Sequence, residues 1–229
     1  NNTKVFPAKL SATKDRTDAK VEIFLLRELG DRLWEVLVKP ARKVRIGNKL
    51  ILSDSLFCDV IDNTVSGGRV VRFEFEKGNF DDILDKLGHP PLPPYIERPA
   101  TASDKERYQT VYAEKRGAVA APIAGLHFTP QILKKLEKKG VNIYYITLHI
   151  GLGTFKPVQV EDLNRHHMDS EYFEVSPSTA LAINEAKGKR RRIFAVGTST
   201  VRALETVNVS GFQISPKKGW TYKFIHPPH

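Results

Sequence analysis

The proline-rich segment at residues 89–99 (HPPLPPYIERP) constrains the fold of this chain more than any other feature. Its five prolines cannot continue a helix or a central β-strand, because proline lacks a backbone N–H and has a fixed φ. Such a segment can serve as a polyproline ligand for an SH3-type partner. Structured sequence flanks it on both sides, however, so it favours a stiff connection between two domains. We place the domain boundary here.

The sequence before this boundary is typical of a small β domain. Short apolar or alternating runs are separated by the turn pairs Gly30-Asp31, Gly47-Asn48 and Gly67-Gly68. Spacing this close predicts an antiparallel barrel or sandwich, followed by a short helix at 79–87 that ends at Gly88. The predicted strands are 20–29, 33–40, 49–53, 56–63 and 69–76.

The sequence after the boundary alternates helix and strand signals. Thr129 and Pro130 begin one helix that ends before Gly140. Ser176 and Pro177 begin another that closes near Gly188. With a final helix at 199–207 and apolar strands at 141–150 and 192–196, the pattern predicts an α/β layer with at least partly parallel strands.

Composition limits the classes of protein and partner. The 36 Lys and Arg residues exceed the 26 Asp and Glu residues, which gives a net charge of +10. This excess favours an anionic partner such as nucleic acid, although a merely soluble basic protein has the same balance. Cys58 is the single cysteine, and we interpret it as a core residue in a reducing compartment. No apolar run has the ~20 residues of a membrane span. We expect a cytoplasmic monomer with no membrane partner.

The segment 195–205 (AVGTSTVRALE) places hydroxyl residues at the start of a helix. Its free N–H groups and positive dipole end suit a phosphate or a carboxylate. Thr198 and Ser199 can add hydroxyl donors, and Arg202 follows one turn later. Ordinary N-capping with a surface arginine explains the same residues equally well.

Two further segments carry a histidine beside small residues. In 149–155 (HIGLGTF), His149 ends a predicted strand, and Gly151 and Gly153 allow backbone to approach a ligand closely. In 117–129 (GAVAAPIAGLHFT), small apolar residues suit a close-fitting ligand wall with His127 as its polar group. A structural histidine and a tightly packed loop are the alternative interpretations.

The sequence 166–171 (HHMDSE) offers possible metal ligands, but no cysteine or third spaced histidine supports a site. Polar contacts to a substrate fit these residues better. The basic run 187–192 (KGKRRR) can follow RNA phosphates or form a solvated loop.

Several of these segments together resemble a known enzyme family, the S-adenosylmethionine:tRNA ribosyltransferase-isomerases of the queuosine pathway. The resemblance spans essentially the whole chain. It depends most on the blocks APIAGLHFT and LHIGLGTF. Asp169 stands where histidine is common, Ser199-Thr200 reverses a common order, and the family has further segments at both ends. The blocks, in order, are 1–10, 92–96, 106–113, 120–129, 148–158, 166–171 and 195–205.

The resemblance implies a small antiparallel β-barrel-like domain (10–88) joined to a larger α/β catalytic domain (1–9 and 89–229). It also implies a reaction. The ribosyl part of S-adenosylmethionine, the co-substrate, moves to 7-aminomethyl-7-deazaguanine at the tRNA wobble position and isomerises. Epoxyqueuosine forms, while adenine and methionine leave. The partner is the anticodon stem-loop of tRNA, and no metal is expected.

A general base is the main chemical requirement of this reaction, because the sulfonium acidifies the adjacent ribose carbon. We expect His149 or His127 to supply it, with Glu171 as a rival. Tyr95, Tyr108 or Phe128 can stack a base. A non-catalytic tRNA-binding module and an S-adenosylmethionine-dependent RNA methyltransferase are the alternative functions. The predicted substrate-binding residues are Gly125, Gly151, Gly153, Thr154, Thr198, Ser199, Arg202 and Tyr108.

Overall fold

The computed structural model describes every residue of the chain except 94, 156–159, 161, 164–167, 210–212 and 229. The chain forms two compact units, one of Phe6–Pro91 and one of Asn1–Val5 with Leu92–His229. The first unit begins earlier than the predicted residue 10. Ala8 accepts a backbone hydrogen bond from Leu25 at 2.8 Å, and Lys9 and His89 exchange backbone hydrogen bonds of 3.2 and 2.8 Å.

The structure contains the following strands and helices. The strands are β1 (Thr3–Val5), β2 (Lys9–Lys14), β3 (Lys20–Gly30), β4 (Leu33–Lys39), β5 (Lys49–Ser53), β6 (Leu56–Asn63), β7 (Arg69–Phe75), β8 (Lys115–Ala118), β9 (Thr147–Leu148), β10 (Glu171–Val175), β11 (Asn208–Val209), β12 (Gln213–Ile214) and β13 (Lys217–Thr221). The α-helices are α1 (Phe80–Leu87), α2 (Asp104–Arg107), α3 (Pro130–Lys138), α4 (Pro177–Gly188) and α5 (Thr198–Thr206). Short 3₁₀ helices cover Ala41–Lys43, Ile123–His127 and Leu152–Phe155.

The smaller unit is a closed antiparallel barrel of strand order β2-β3-β4-β7-β6-β5. Alternate side chains of each strand face the interior, as in the buried Val71 and Phe73 of β7. The predicted β domain is therefore confirmed, and the barrel replaces the sandwich alternative. β2 was missed because its sequence, KLSATK, is mostly polar. Cys58 is fully buried, and burial raises the pKa of its thiol, consistent with a core residue.

Gly88 ends α1 for a reason that the sequence did not indicate. Its φ is −83°, so the left-handed conformation that usually selects glycine is absent here. A Cβ atom at Gly88 would instead lie 2.3 Å from the carbonyl oxygen of Pro7 and 2.6 Å from that of Leu84. The helix can therefore pack against the chain only without a side chain at this position.

The larger unit contains several small sheets and the helices predicted for it. β1 pairs in parallel with β8, and β13, β10 and β9 form an antiparallel sheet in that order. Thr129 caps α3 and Ser176 caps α4, each hydroxyl accepting a backbone N–H hydrogen bond of 3.2 Å. These caps confirm both predicted helix starts. In the described part of the chain, no helix has the length and apolar character needed to cross a membrane.

The predicted strands at 141–150 and 192–196 are wrong over most of their length. Only Thr147–Leu148 forms a strand, and residues 192–196 form none. No described strand pairs with residues 141–146 or 192–196, and apolar side chains such as Tyr144 and Phe194 are exposed. Apolar periodicity indicates that a segment can be a strand, but a strand also needs a neighbour with which to form hydrogen bonds.

Candidate functional site

His149 directly follows β9, and its side chain lies on the face of the sheet opposite the core. Its neighbour Leu148 pairs with Phe173 of β10, and both are buried against the core of the larger unit. The backbone N–H of His149 donates to the carbonyl of Tyr172 at 2.9 Å. Because side chains alternate along a strand, this pairing turns the half-buried imidazole to the outer face beside Tyr172.

Three contacts fix the imidazole of His149. Its Nδ1 is hydrogen-bonded to the hydroxyl of Thr3 at 2.8 Å. Its ring stacks on Tyr172, with centroids 5.6 Å apart and planes 22° apart. Gly117 has φ +150°, and a Cβ there would lie 2.7 Å from Nε2 of the ring. Glycine at this position therefore serves both the backbone conformation and the close approach of the imidazole.

The surroundings of His149 favour its neutral form. Burial lowers the pKa of the imidazole below its usual 6.5, and the positive charge of Lys115 lowers it further. Glu174 acts in the opposite direction, and its carboxylate pairs with Lys115 at 2.8 Å. A neutral imidazole accepts a proton at one nitrogen only. When Nδ1–H donates to Thr3, Nε2 is that nitrogen.

The side chain of Asn1 connects two of the glycine-containing segments. Its Oδ1 accepts from the N–H of Leu148 at 3.0 Å, and its Nδ2 donates to the carbonyl of Leu148 at 2.9 Å. The side-chain amide thereby hydrogen-bonds both backbone polar groups of Leu148, as the backbone of a neighbouring strand would. Nδ2 also donates to the hydroxyl of Ser199 at 3.0 Å. Neither Asn1 nor Thr3 was among the predicted site residues, and the resemblance of residues 1–10 was the only signal for them.

The start of α5 differs from ordinary N-capping, the alternative interpretation of this segment. Gly197 is the N-cap with φ +87°, and no side chain caps the helix. The hydroxyl of Thr200 donates to the carbonyl of Val196 at 2.8 Å. Thr198 is exposed and Ser199 half-buried. The first turn of α5 therefore presents backbone donors and a positive dipole end without a side-chain acceptor.

Arg202 is buried rather than at the surface. Its guanidinium pairs with Glu171 and donates to the carbonyls of Asp169, Thr221 and Lys223 at 3.1, 3.1 and 2.8 Å. Burial lowers the pKa of Arg202, and the charge of Glu171 opposes that shift. Glu171 also accepts from the N–H of Gly151 at 2.7 Å. Both carboxylate oxygens of Glu171 and every guanidinium nitrogen of Arg202 thus have partners within the protein.

Gly125 and Gly153 allow close contacts inside the protein itself. A Cβ at Gly125 would lie 2.4 Å from the hydroxyl oxygen of Tyr112. One at Gly153 would lie 2.8 Å from Cβ of Asp169. At Gly151 the nearest atom is Oε1 of Glu171 at 3.7 Å, an ordinary contact. The packed-loop interpretation therefore accounts for two of these glycines without a ligand.

The remaining predicted residues do not join His149 in one cluster. His127 is exposed at the end of a 3₁₀ helix. Tyr108 is 7% exposed, and burial raises the pKa of its hydroxyl to about 12. The ring of Tyr108 is thus part of the core, whereas Tyr95 is exposed and Phe128 half-buried. The side chain of Thr154 lies outside the described residues.

The two histidines of the metal interpretation of 166–171, His166 and His167, also lie outside the described residues. Among the residues that are described, no three His, Cys, Asp or Glu side chains are grouped as metal ligands would be.

Comparisons with known proteins identify the family. The family model described as queuosine biosynthesis protein matches residues 1–229, and the chain belongs to this family. The family predicted from the sequence is therefore confirmed.

Its relatives carry the name S-adenosylmethionine:tRNA ribosyltransferase-isomerase. Those from Cytophaga hutchinsonii and Flavobacterium psychrophilum are each 52% identical over 100% of this chain and 67% of their own length. The chain thus spans about two thirds of the curated relatives it matches. A crystal structure of S-adenosylmethionine tRNA ribosyltransferase from Thermotoga maritima is 27% identical, covering 99% of this chain and 60% of that one. Its TM-score is 0.35, too low to add to the fold assignment.

Proposed function

We propose that the protein containing this chain is a tRNA ribosyltransferase-isomerase that uses S-adenosylmethionine as ribosyl donor. Its acceptor is 7-aminomethyl-7-deazaguanine at the wobble position, and its products are epoxyqueuosine, adenine and methionine. The observation that carries this proposal is the similarity to enzymes of that name, which extends over the whole chain with 52% of the residues identical. The names of these relatives agree with the reaction that the family resemblance implied.

In this proposal His149 is the general base, with Nε2 accepting the proton from the ribose carbon beside the sulfonium. Its neutral form is favoured by burial and by Lys115. Its ring is held by Thr3, Tyr172 and Gly117. His127 is exposed and has no comparable set of contacts among the described residues. Glu171 is committed to Arg202 and to the N–H of Gly151.

The start of α5 is the proposed site for an anionic group of a substrate, either the methionine carboxylate or a phosphate. Thr198 and Ser199 lie in its first turn, where backbone N–H groups and the helix dipole favour negative charge. Asn1 holds this turn next to β9 through Ser199 and Leu148. We assign Arg202 and Glu171 a positioning role, because they join α5 to β10 and β13.

Product analysis tests the proposed reaction. The full-length protein is incubated with S-adenosylmethionine and tRNA that carries the aminomethyl-deazaguanine. We expect adenine and methionine to appear together, in step with modified tRNA. S-adenosylhomocysteine with methylated RNA would instead identify a methyltransferase. Binding of tRNA without any small-molecule product would identify a non-catalytic module.

Single-turnover kinetics at saturating substrates test the role of His149. Loss of a general base costs about 10²–10⁴ in rate, so we expect that loss for His149→Gln and a much smaller one for His127→Gln. Melting temperatures of both variants separate a lost base from a lost fold. If both variants keep rates within about tenfold of the parent, the base lies elsewhere and Glu171 becomes the leading candidate.

A further inference from the structure

A row of aromatic side chains crosses the sheet that carries His149. Tyr172 lies directly opposite Trp220 in the β10–β13 register, and His149 is hydrogen-bonded to Tyr172 from the other side. The rings of His149 and Tyr172 stack, while those of Tyr172 and Trp220 meet edge to face with centroids 5.9 Å apart at 75°. We call His149, Tyr172 and Trp220 the aromatic row.

The aromatic row is most exposed at its β13 end. His149 and Tyr172 are half-buried, whereas Trp220 is 48% exposed. The opposite face of β10 is buried, since Glu171, Phe173 and Val175 all point toward the core. A tryptophan that only completed the core would lie on that buried face. Trp220 instead leaves apolar ring surface on the outer face, in line with the proposed base.

Basic groups lie beside the aromatic row on the same face. Lys218 stands opposite Glu174, two pairs along from Trp220 and Tyr172 and therefore on the same face of the sheet. Lys115 reaches Glu174 from β8, so two lysines accompany one carboxylate. The whole chain carries +10. Aromatic rings on a sheet with nearby cations suit an unstacked nucleobase and its phosphate, because every base has a π-face and lysine attracts the backbone.

From these observations we propose that Trp220, supported by Tyr172, stacks an unpaired base of the tRNA anticodon loop, with Lys218 beside its phosphate. This rests on the proposed function, which supplies the tRNA, and it names the RNA-facing surface of the same site. A base on Trp220 is separated from His149 by one ring of the row. The aromatic row would therefore hold the anticodon loop beside His149, the residue that we assign as the general base.

Binding of an anticodon stem-loop RNA to the full-length protein tests the proposal, with Trp220→Ala, Trp220→Phe and a matched control, Tyr144→Ala. Tyr144 is 50% exposed, close to the exposure of Trp220, and lies outside the strands. Loss of one stacked base weakens binding roughly five- to a hundredfold, which we expect for Trp220→Ala alone. Trp220→Phe retains a ring and should keep most of the affinity. A hairpin with abasic loop positions should bind the parent and Trp220→Ala equally.

Fluorescence keeps the test valid if Trp220→Ala folds poorly. RNA should quench the emission of the parent, and Trp220→Phe should lose that quenching. Three results would overturn the proposal: unchanged RNA affinity in Trp220→Ala, equal losses of affinity for intact and abasic loops, or weaker binding of S-adenosylmethionine in the absence of RNA. Unchanged RNA affinity with a lower melting temperature would show that protein covers the row. None of these binding results depends on turnover, so absence of adenine release would count against the proposed reaction separately.

Discussion

The chemistry proposed for His149 depends on a few neighbouring side chains. Burial and Lys115 lower the pKa of its imidazole, and Glu174 raises it. Since its pKa is lower in the folded chain than the unfolded 6.5, the unfolded state binds more protons in the window between the two values. The contribution of His149 to the free energy of unfolding is therefore complete above pH 6.5 and decreases as the pH falls through that window.

The same shift predicts where activity is lost in acid. We expect the acidic limb of kcat/KM to lie below pH 6.5, because the lowered pKa of His149 keeps its imidazole neutral to a more acidic pH than an ordinary histidine. Lys115→Met should move the limb to higher pH and Glu174→Gln to lower pH, since the two charges act in opposite directions. Rates measured from pH 5 to 8 (the range over which histidine titrates) check this. Limbs that coincide in all three proteins would show that another group titrates.

The hydroxyl of Thr3 provides a second test of the same imidazole. Thr3→Val preserves shape but leaves Nδ1 of His149 without its partner. Without this hydrogen bond the imidazole loses a preference of about 1–3 kcal/mol for the tautomer whose Nε2 is free. We therefore expect the population of that tautomer, and with it the rate, to fall by up to roughly a hundredfold. Thr3→Ser restores the hydroxyl and is the matched control. Nitrogen chemical shifts of His149 report the tautomer, and unchanged shifts in Thr3→Val would contradict a positioning role.

The buried ion pair of Arg202 and Glu171 joins helix and sheet. One guanidinium reaches β10, the end of β13 and the residues that follow it. A lysine has a single ammonium and cannot reproduce several bonds in the planar guanidinium arrangement. The pair therefore fixes how α5, and hence its first turn, lies against the sheet.

Removing one partner of this pair should strongly destabilise the protein. We expect Arg202→Met to lower the free energy of unfolding by about 3–5 kcal/mol, because Glu171 would keep an uncompensated buried charge. Lys189→Met is the control, since Glu185 of α4 and Lys189, the residue directly after that helix, form an exposed i,i+4 pair. Exposed helical pairs are worth about 0.3–0.5 kcal/mol. Denaturant titration measures both, and similar losses would contradict a special role for the buried pair.

The charge of the whole chain, +10, predicts a salt-dependent interaction with tRNA. Each phosphate contact contributes a slope of about −0.7 to −0.9 in log K against log salt. Arg191 lies in the exposed basic run, and Arg191→Gln should reduce the slope by one such increment if the run follows phosphates. Arg16→Gln, in an exposed turn of the barrel, is the control. A flat salt dependence of the parent would show that the basic excess does not serve RNA binding.

The proposed reaction also predicts activity without a metal ion. A sulfonium is already an activated leaving group, so the step that removes a proton beside it requires a base rather than a Lewis acid. We expect activity to survive exhaustive chelation. The decisive contrary result is a loss that one particular divalent ion restores, with tRNA folding shown to be intact.

Local patterns in the sequence predicted most elements of this fold. The five predicted barrel strands, the caps Thr129 and Ser176, and α5 depend on side-chain alternation or on hydrogen bonds within a few residues. These features are encoded in neighbouring residues and can be read without knowing the rest of the chain. The specific blocks around Gly125 and Gly151 likewise predicted the family correctly.

Contacts between distant segments were decided only by the tertiary structure. Residues 141–146 and 192–196 have strand-like sequences, yet a strand forms only where another backbone supplies hydrogen bonds. The pairing of Thr3 with His149, and of Arg202 with Glu171, joins residues 146 and 31 positions apart. No local pattern marks such pairs, because their partners meet only when the chain has packed. The sequence by itself thus determined the elements and the family, and packing determined which side chains surround His149.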